Sequence, residues 1–137
     1  MSVGTEAVRI DQNGLVDEAL TKEIIGAAIE VHRHLGPGLL ESAYEECLCH
    51  ELQLRGLTFK RQVSLPVVYK AVALDCGYKM DLVVEDRIVL ELKCVESVLG
   101  VHHAQLLTYL KLSGKRVGLL LNFHVAVMTR GIVRKVL

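Results

Sequence analysis

Tyr78-Lys79-Met80-Asp81-Leu82-Val83-Val84-Glu85-Asp86-Arg87-Ile88-Val89-Leu90-Glu91-Leu92-Lys93-Cys94 is the stretch whose reading decides the fold. Tyr78 to Val84 and Ile88 to Cys94 are aliphatic runs that meet at the polar Glu85-Asp86-Arg87, the pattern of two strands joined by a turn. Pairing about that turn sets Val84 opposite Ile88, Leu82 opposite Leu90 and Asp81 opposite Glu91. This register gathers Leu82, Val84, Ile88, Leu90 and Leu92 on one face, and a slip of one residue would scatter them. The other face receives Asp81, Glu91 and Lys93. Directly opposed residues have Cβ atoms roughly 4.5–5.5 Å apart, and like charges so placed repel unless something positive lies between them. A divalent cation would supply that charge, and oxygen-only ligands suit Mg²⁺ or Mn²⁺. Lys93, two residues beyond Glu91 on the same face, is placed to reach a phosphate oxygen or a water. Without a metal, the same residues read as two carboxylates neutralised by Lys93 and Lys79 on a solvated sheet face.

Outward from the hairpin, Thr58 to Val63, Leu65 to Tyr69 and Val72 to Cys76 read as further strands of an antiparallel meander, with Pro66 marking an edge. Upstream, Ile24, Ile25, Ala28, Ile29 and Leu35 recur at helical spacing, with Thr21 as the expected N-cap. Gly36-Pro37-Gly38 ends that helix, and a second follows from about Leu39 to Leu54, with Tyr44, Leu48 and Leu52 along one side. Downstream, Val101 to Leu112 has helical spacing, with His102, Gln105 and Tyr109 as a polar stripe and Leu106, Leu107 and Leu110 as the apolar side. Val117 to Asn122, Val125 to Thr129 and Ile132 to Val136 read as short strands. The expected fold is therefore α/β, with two N-terminal helices, the meander, one helix and C-terminal strands built into a mixed sheet. Residues 1–17 are expected to form a loose arm, and residues 18–137 one domain.

A hydrophobic share of 51% in 137 residues is enough for a core without disulfides, and it excludes disorder as the main state. No run approaches the roughly 18 apolar residues of a membrane span, and no signal pattern opens the chain, so a cytoplasmic protein with no membrane partner is expected. Cys47, Cys49, Cys76 and Cys94 lack zinc-type spacing and are expected to be buried free thiols. Sixteen basic and sixteen acidic residues cancel, so nucleic-acid contact would rest on local basic residues such as Lys60, Arg61, Lys79, Lys111, Lys115 and Arg116. Four tyrosines and two phenylalanines reveal no base-stacking surface.

Met80-Asp81 followed by Glu91-Leu92-Lys93 resembles the core signature of the PD-(D/E)XK nuclease superfamily, with Met80 at its variable proline. Gly38-Leu39-Leu40-Glu41-Ser42-Ala43-Tyr44 resembles the defining motif of the GxxExxY family, a branch of that superfamily. The resemblance continues through Ile25 to His32, Leu74 to Tyr78 and Ala104 to Leu110, and so spans most of the chain. It implies a restriction-endonuclease-like core and Mg²⁺- or Mn²⁺-dependent hydrolysis of nucleic acid, with DNA as the default. It also implies that Asp81, Glu91 and the Leu92 carbonyl are metal ligands, that Lys93 positions or activates water, and that Glu41 completes the site, with a second metal or its water as an option. Gln105 resembles the glutamine on the helix bordering such sites, and His103 departs from the glutamate that relatives often carry there. Tyr44, His102 and Tyr109 are secondary candidates, Tyr44 reading chiefly as a packing residue. Cleavage of both strands of a duplex would need two sites, which a symmetric homodimer would supply. Two rivals stand beside this reading: a catalytically silent module that binds a protein or nucleic acid, and a metal-dependent hydrolase of small phosphoesters.

Overall fold

The computed structural model describes residues 17–137, so the expected N-terminal arm lies, but for Asp17, outside the described residues. The elements run α1 (Glu18–Leu35), α2 (Glu41–Leu54), β1 (Phe59–Ser64), β2 (Val67–Tyr69), β3 (Val72–Leu74), β4 (Lys79–Val84), β5 (Ile88–Lys93), α3 (Gly100–Ser113), β6 (Val117–Asn122), a 3₁₀ turn (Met128–Gly131) and β7 (Ile132–Val136). The aliphatic alternation sets the hairpin register as read from the sequence: Leu82 pairs with Leu90, Val83 with Val89 and Val84 with Ile88. Its turn lacks glycine, yet Glu85 and Asp86 both adopt the left-handed conformation, at φ 53° and 55°. The Glu85 carboxylate compensates by accepting from the Thr58 amide at 2.7 Å and the Thr58 hydroxyl at 2.6 Å.

The main sheet has the order β1-β4-β5-β6-β7, antiparallel except for the β5–β6 pair, which α3 connects by a crossover. Helices α1 and α2 cover one face, where Ile24, Ala28, Tyr44, Leu48 and Leu52 pack on Leu82, Val84, Leu90, Leu92, Leu119 and Leu121. Helix α3 covers the other, where Leu106, Tyr109 and Leu110 meet Met80, Val83, Val89 and Leu120. Gly118 permits the close approach of α3 to β6, since a Cβ there would stand 2.7 Å from Leu106 Cδ1. This three-layer α/β arrangement is the restriction-endonuclease-like fold expected from the sequence.

Several local expectations are corrected. The segments from β1 to β4 are not a simple meander: β1 pairs with β4, and β2 with β3 forms a separate two-stranded sheet. Val125 to Thr129 is no strand. It is irregular chain leading into the 3₁₀ turn, and its apolar residues serve as core plugs, with Met128 buried and Val125 packed beside it. The Val125 carbonyl accepts from the buried His32 Nε2 at 2.8 Å. Thr21 lies one turn inside α1, buried, and Asp17 stands at the cap position. Of the four free cysteines, Cys49 is buried and Cys94 half-buried, but Cys47 and Cys76 are exposed. No helix among the described residues is long and apolar enough to cross a membrane.

Candidate active site

The hairpin ladder stops at Leu82–Leu90, and the two strands then part company. Strand β4 stays with β1, pairing Met80 with Val63, whereas β5 stays with β6, pairing Glu91 with Leu120 and Lys93 with Asn122. Side chains close the fork in place of backbone. The Asp81 amide donates to Glu91 Oε2 and the Leu92 amide to Asp81 Oδ2, each at 2.9 Å. Each carboxylate thus satisfies a backbone donor that the parted strands would otherwise orphan. Leu92 turns its amide into the fork, and in extended chain the carbonyl of the same residue faces the same way. Asp81, Glu91 and the Leu92 amide therefore meet at the fork.

Burial first, and the charge of Asp81 second, push the Glu91 carboxyl up to about 8, against the lowering influence of the Asp81 amide and Lys93. Glu91 is only 4% exposed, which explains the size of the effect. Glu41, in the first turn of α2, joins the same electrostatic cluster. Loss of water around it, then the charge of Asp81, raises its carboxyl above the usual range, while Lys93 opposes the rise. Half-buried Lys93 donates through Nζ to Gln105 Oε1 at 3.2 Å, and Gln105 Nε2 donates to the Tyr109 hydroxyl at 3.1 Å. A line of hydrogen bonds thus runs from the fork to α3. The expected polar stripe of α3 is corrected here: Tyr109 is buried in the second core, with its hydroxyl turned to Gln105.

Two residues of this neighbourhood were missed by sequence reasoning. Glu45 accepts from Arg61 Nη2 at 2.9 Å and from Gln62 Nε2 at 3.0 Å, and Gln62 Nε2 also reaches Asp81 Oδ1 at 3.4 Å. Glu45 follows Glu41 by four residues and so shares its helix face, a signal that was present in the spacing. Gln62 gave none. It sits at φ 49° inside β1, opposite Asp81, where the pairing of β1 with β4 skips a residue. Of the basic residues weighed for phosphate contact, Arg61 is engaged by Glu45 and Glu46, Lys115 by Asp86, and Arg116 by the Leu137 carbonyl.

Tyr44 and His102 stand outside the carboxylate cluster. Tyr44 is fully buried and stacks on Phe123 with ring centroids 4.5 Å apart. Its hydroxyl donates to the Gly36 carbonyl and accepts from the Leu39 amide at 3.2 Å, tying down the Gly36-Pro37-Gly38 loop that delivers Glu41. Tyr44→Phe should therefore cost about 1–3 kcal/mol of stability in urea titrations, because both loop groups lose their partner; an unchanged midpoint would show that the bonds contribute nothing. His102 is a helix cap, its Nδ1 accepting from the Leu99 amide at 2.9 Å.

Among the described residues no three His, Cys, Asp or Glu side chains form a ready ligand group. The two carboxylates that meet at the fork are oxygen donors of the type hard divalent cations take. The family model of the PD-(D/E)XK nuclease superfamily matches residues 18–135. Neither the curated proteins nor the solved structures provide a match. The matched span runs from the first residue of α1 into β7, and so takes in the whole sheet, the fork and the three helices around it; this chain belongs to the PD-(D/E)XK nuclease superfamily.

Proposed function

We propose that this chain is a divalent-metal-dependent nuclease of the GxxExxY branch, hydrolysing phosphodiester bonds of nucleic acid, with DNA as the substrate carried over from the superfamily. The observation that carries the reading is the fork itself: Asp81 and Glu91 interlock through each other's strands while Lys93 reaches the same side. A buried carboxyl held protonated up to about pH 8 beside a second carboxylate is a place where a cation can replace the proton. Asp81, Glu91 and the Leu92 carbonyl would hold Mg²⁺ or Mn²⁺, with Glu41 at its margin. Such an ion, when bound, supplies Lewis-acid polarisation of the phosphoryl group and acidifies water at neutral pH.

The protein's own groups divide the remaining work. Lys93 meets the negative charge that builds on the phosphoryl oxygens, in a half-buried position where its charge is little screened. Gln105 fixes the direction of the Lys93 ammonium, and Tyr109 fixes Gln105. Glu41 would accept a hydrogen bond from the attacking water and draw off its proton, and the departing oxygen would take its proton from water as the P–O bond breaks. Duplex cleavage on both strands would recruit a second copy of the chain, since one copy carries one fork.

The test is calorimetric titration of Mn²⁺ into wild type and Asp81→Ala, with cleavage of single- and double-stranded DNA and RNA measured beside it. Saturable binding and metal-dependent cleavage in the wild type, both lost in the variant, are expected. A folded wild type that neither binds Mn²⁺ nor cuts any of the four substrates would replace the enzyme by a silent binding module.

A further inference from the structure

Beside the fork lies an open cavity of about 600 Å³, lined by Lys93 and Gln105 together with Val67, Tyr78, Val101 and Leu112. Its walls are mainly carbon, and its aromatic side is built by Tyr78 and Tyr109, packed edge to face with ring centroids 6.2 Å apart. Tyr78 is 49% exposed, so one tyrosine ring is presented to whatever enters. Two of the four tyrosines thus stand at the cavity beside the fork, an arrangement that their positions in the sequence do not reveal.

We propose that this cavity receives an unpaired nucleobase next to the phosphodiester held at the fork, which makes the preferred substrate a single strand, or a duplex with an unpaired nucleotide at the cut. The inference rests on the nuclease reading for the position of the phosphate. Continuity identifies the occupant: Lys93 and Gln105 belong at once to the fork and to the cavity lining, so a nucleotide whose phosphate meets Lys93 has its base or sugar directed along the cavity. The volume falls in the range that encloses small organic ligands. An aromatic and aliphatic lining favours the flat π-face of a base over the charged backbone, and stacking of this kind tolerates any base. A base inside a duplex has both faces stacked on its neighbours, so only an unpaired base can offer a face to Tyr78. Besides Lys93, the polar groups of the lining are His102, Thr108 and the hydrogen-bonded Gln105 and Tyr109.

The test measures binding apart from cleavage, with Ca²⁺ in place of Mg²⁺, by fluorescence anisotropy of one labelled sequence as single-stranded DNA, single-stranded RNA and blunt duplex DNA. The wild type should prefer a single strand to the duplex by at least about tenfold, and the comparison of DNA with RNA identifies which sugar is accepted. Ala104→Trp fills the cavity from an exposed position on α3, and Tyr78→Ala removes the stacking ring. Each should weaken single-strand binding by about fivefold to a hundredfold, the loss of one stacked base, and leave duplex binding unchanged. Equal affinity for duplex and single strand, or single-strand affinity that survives both variants when circular dichroism shows them folded, would overturn the base site. Cleavage is followed separately in Mg²⁺. Wild-type cutting that both variants retain discards the cavity and keeps the nuclease, whereas base-dependent binding without any cutting discards the nuclease and keeps the cavity.

Discussion

Lys93→Met should lower metal-dependent cleavage by about 10²–10⁴-fold even at high pH, where Mn²⁺ binding is retained. The side chain is half-buried at the end of β5, and its ammonium is held by Gln105. Methionine keeps the length and apolar stem, so the packing of β5 against β6 and α3 has no reason to change. What disappears is the positive charge, in a place where a phosphoryl group gaining negative charge would otherwise meet it with little solvent screening. The same charge holds the Glu91 carboxyl down against burial. Its removal therefore raises that carboxyl further, so metal binding by the variant should be weaker than that of the wild type at neutral pH, where the proton competes, and should recover only at a higher pH than in the wild type. Single-turnover cleavage at saturating Mn²⁺, paired with calorimetry at two pH values, separates the effects. A variant that cuts within tenfold of wild type would remove Lys93 from the chemistry, and one that binds no Mn²⁺ even at high pH would make the lysine part of the ligand framework.

The register that sets Leu82 opposite Leu90 and Val84 opposite Ile88 was legible because strand side chains alternate, but the direct Asp81–Glu91 pairing expected from it is replaced by the fork. The fork was not legible. It arises because two carboxylates capture the amides that would have continued the ladder, an exchange of side chain for backbone that leaves no periodic trace. The β1–β4 pairing was equally hidden: consecutive extended segments read as a meander, but the β2–β3 hairpin is set aside and the chain returns to β1. Gln62 marks the same place. With φ 49° it turns the strand, so that Phe59 packs on the α1–α2 side and Val63 on the α3 side, and strict alternation predicts neither the switch nor the bridge to Glu45. Tyr109 was read with the polar stripe of its helix because tyrosine is both polar and large; its ring fills the core and only its hydroxyl serves the site. Glu45, by contrast, could have been found by extending the helical spacing from Glu41.

In metal-free protein, stability should fall as pH rises from about 4.5 to about 8, and Glu91→Gln should abolish most of that fall. The sign follows from proton counts. The folded Glu91 carboxyl titrates near 8, whereas its ordinary value is 4.5, so through this window the folded chain holds a proton that the unfolded chain has released. Stability is full below the lower value and reduced above the upper one, by something on the order of 5 kcal/mol for a carboxyl this deeply buried. Glu41, also raised, acts in the same direction. Glu30 and Glu46, held low by Arg33 and Arg61, act in the opposite direction but only as pH drops below the ordinary carboxylate range, so the two regimes do not overlap. Glutamine at position 91 still offers an oxygen to the Asp81 amide and brings no charge to bury beside Asp81. The variant should therefore be the more stable protein at pH 8 without metal, and the less stable one once Mn²⁺ is added, because bound metal stabilises only the chain that can hold it. Urea titrations at pH 5, 6.5 and 8, with and without Mn²⁺, read all of this out. If the wild type is equally stable across the three pH values, Glu91 is charged throughout. If the glutamine variant gains as much from Mn²⁺ as wild type, the metal is held by other groups than those of the fork.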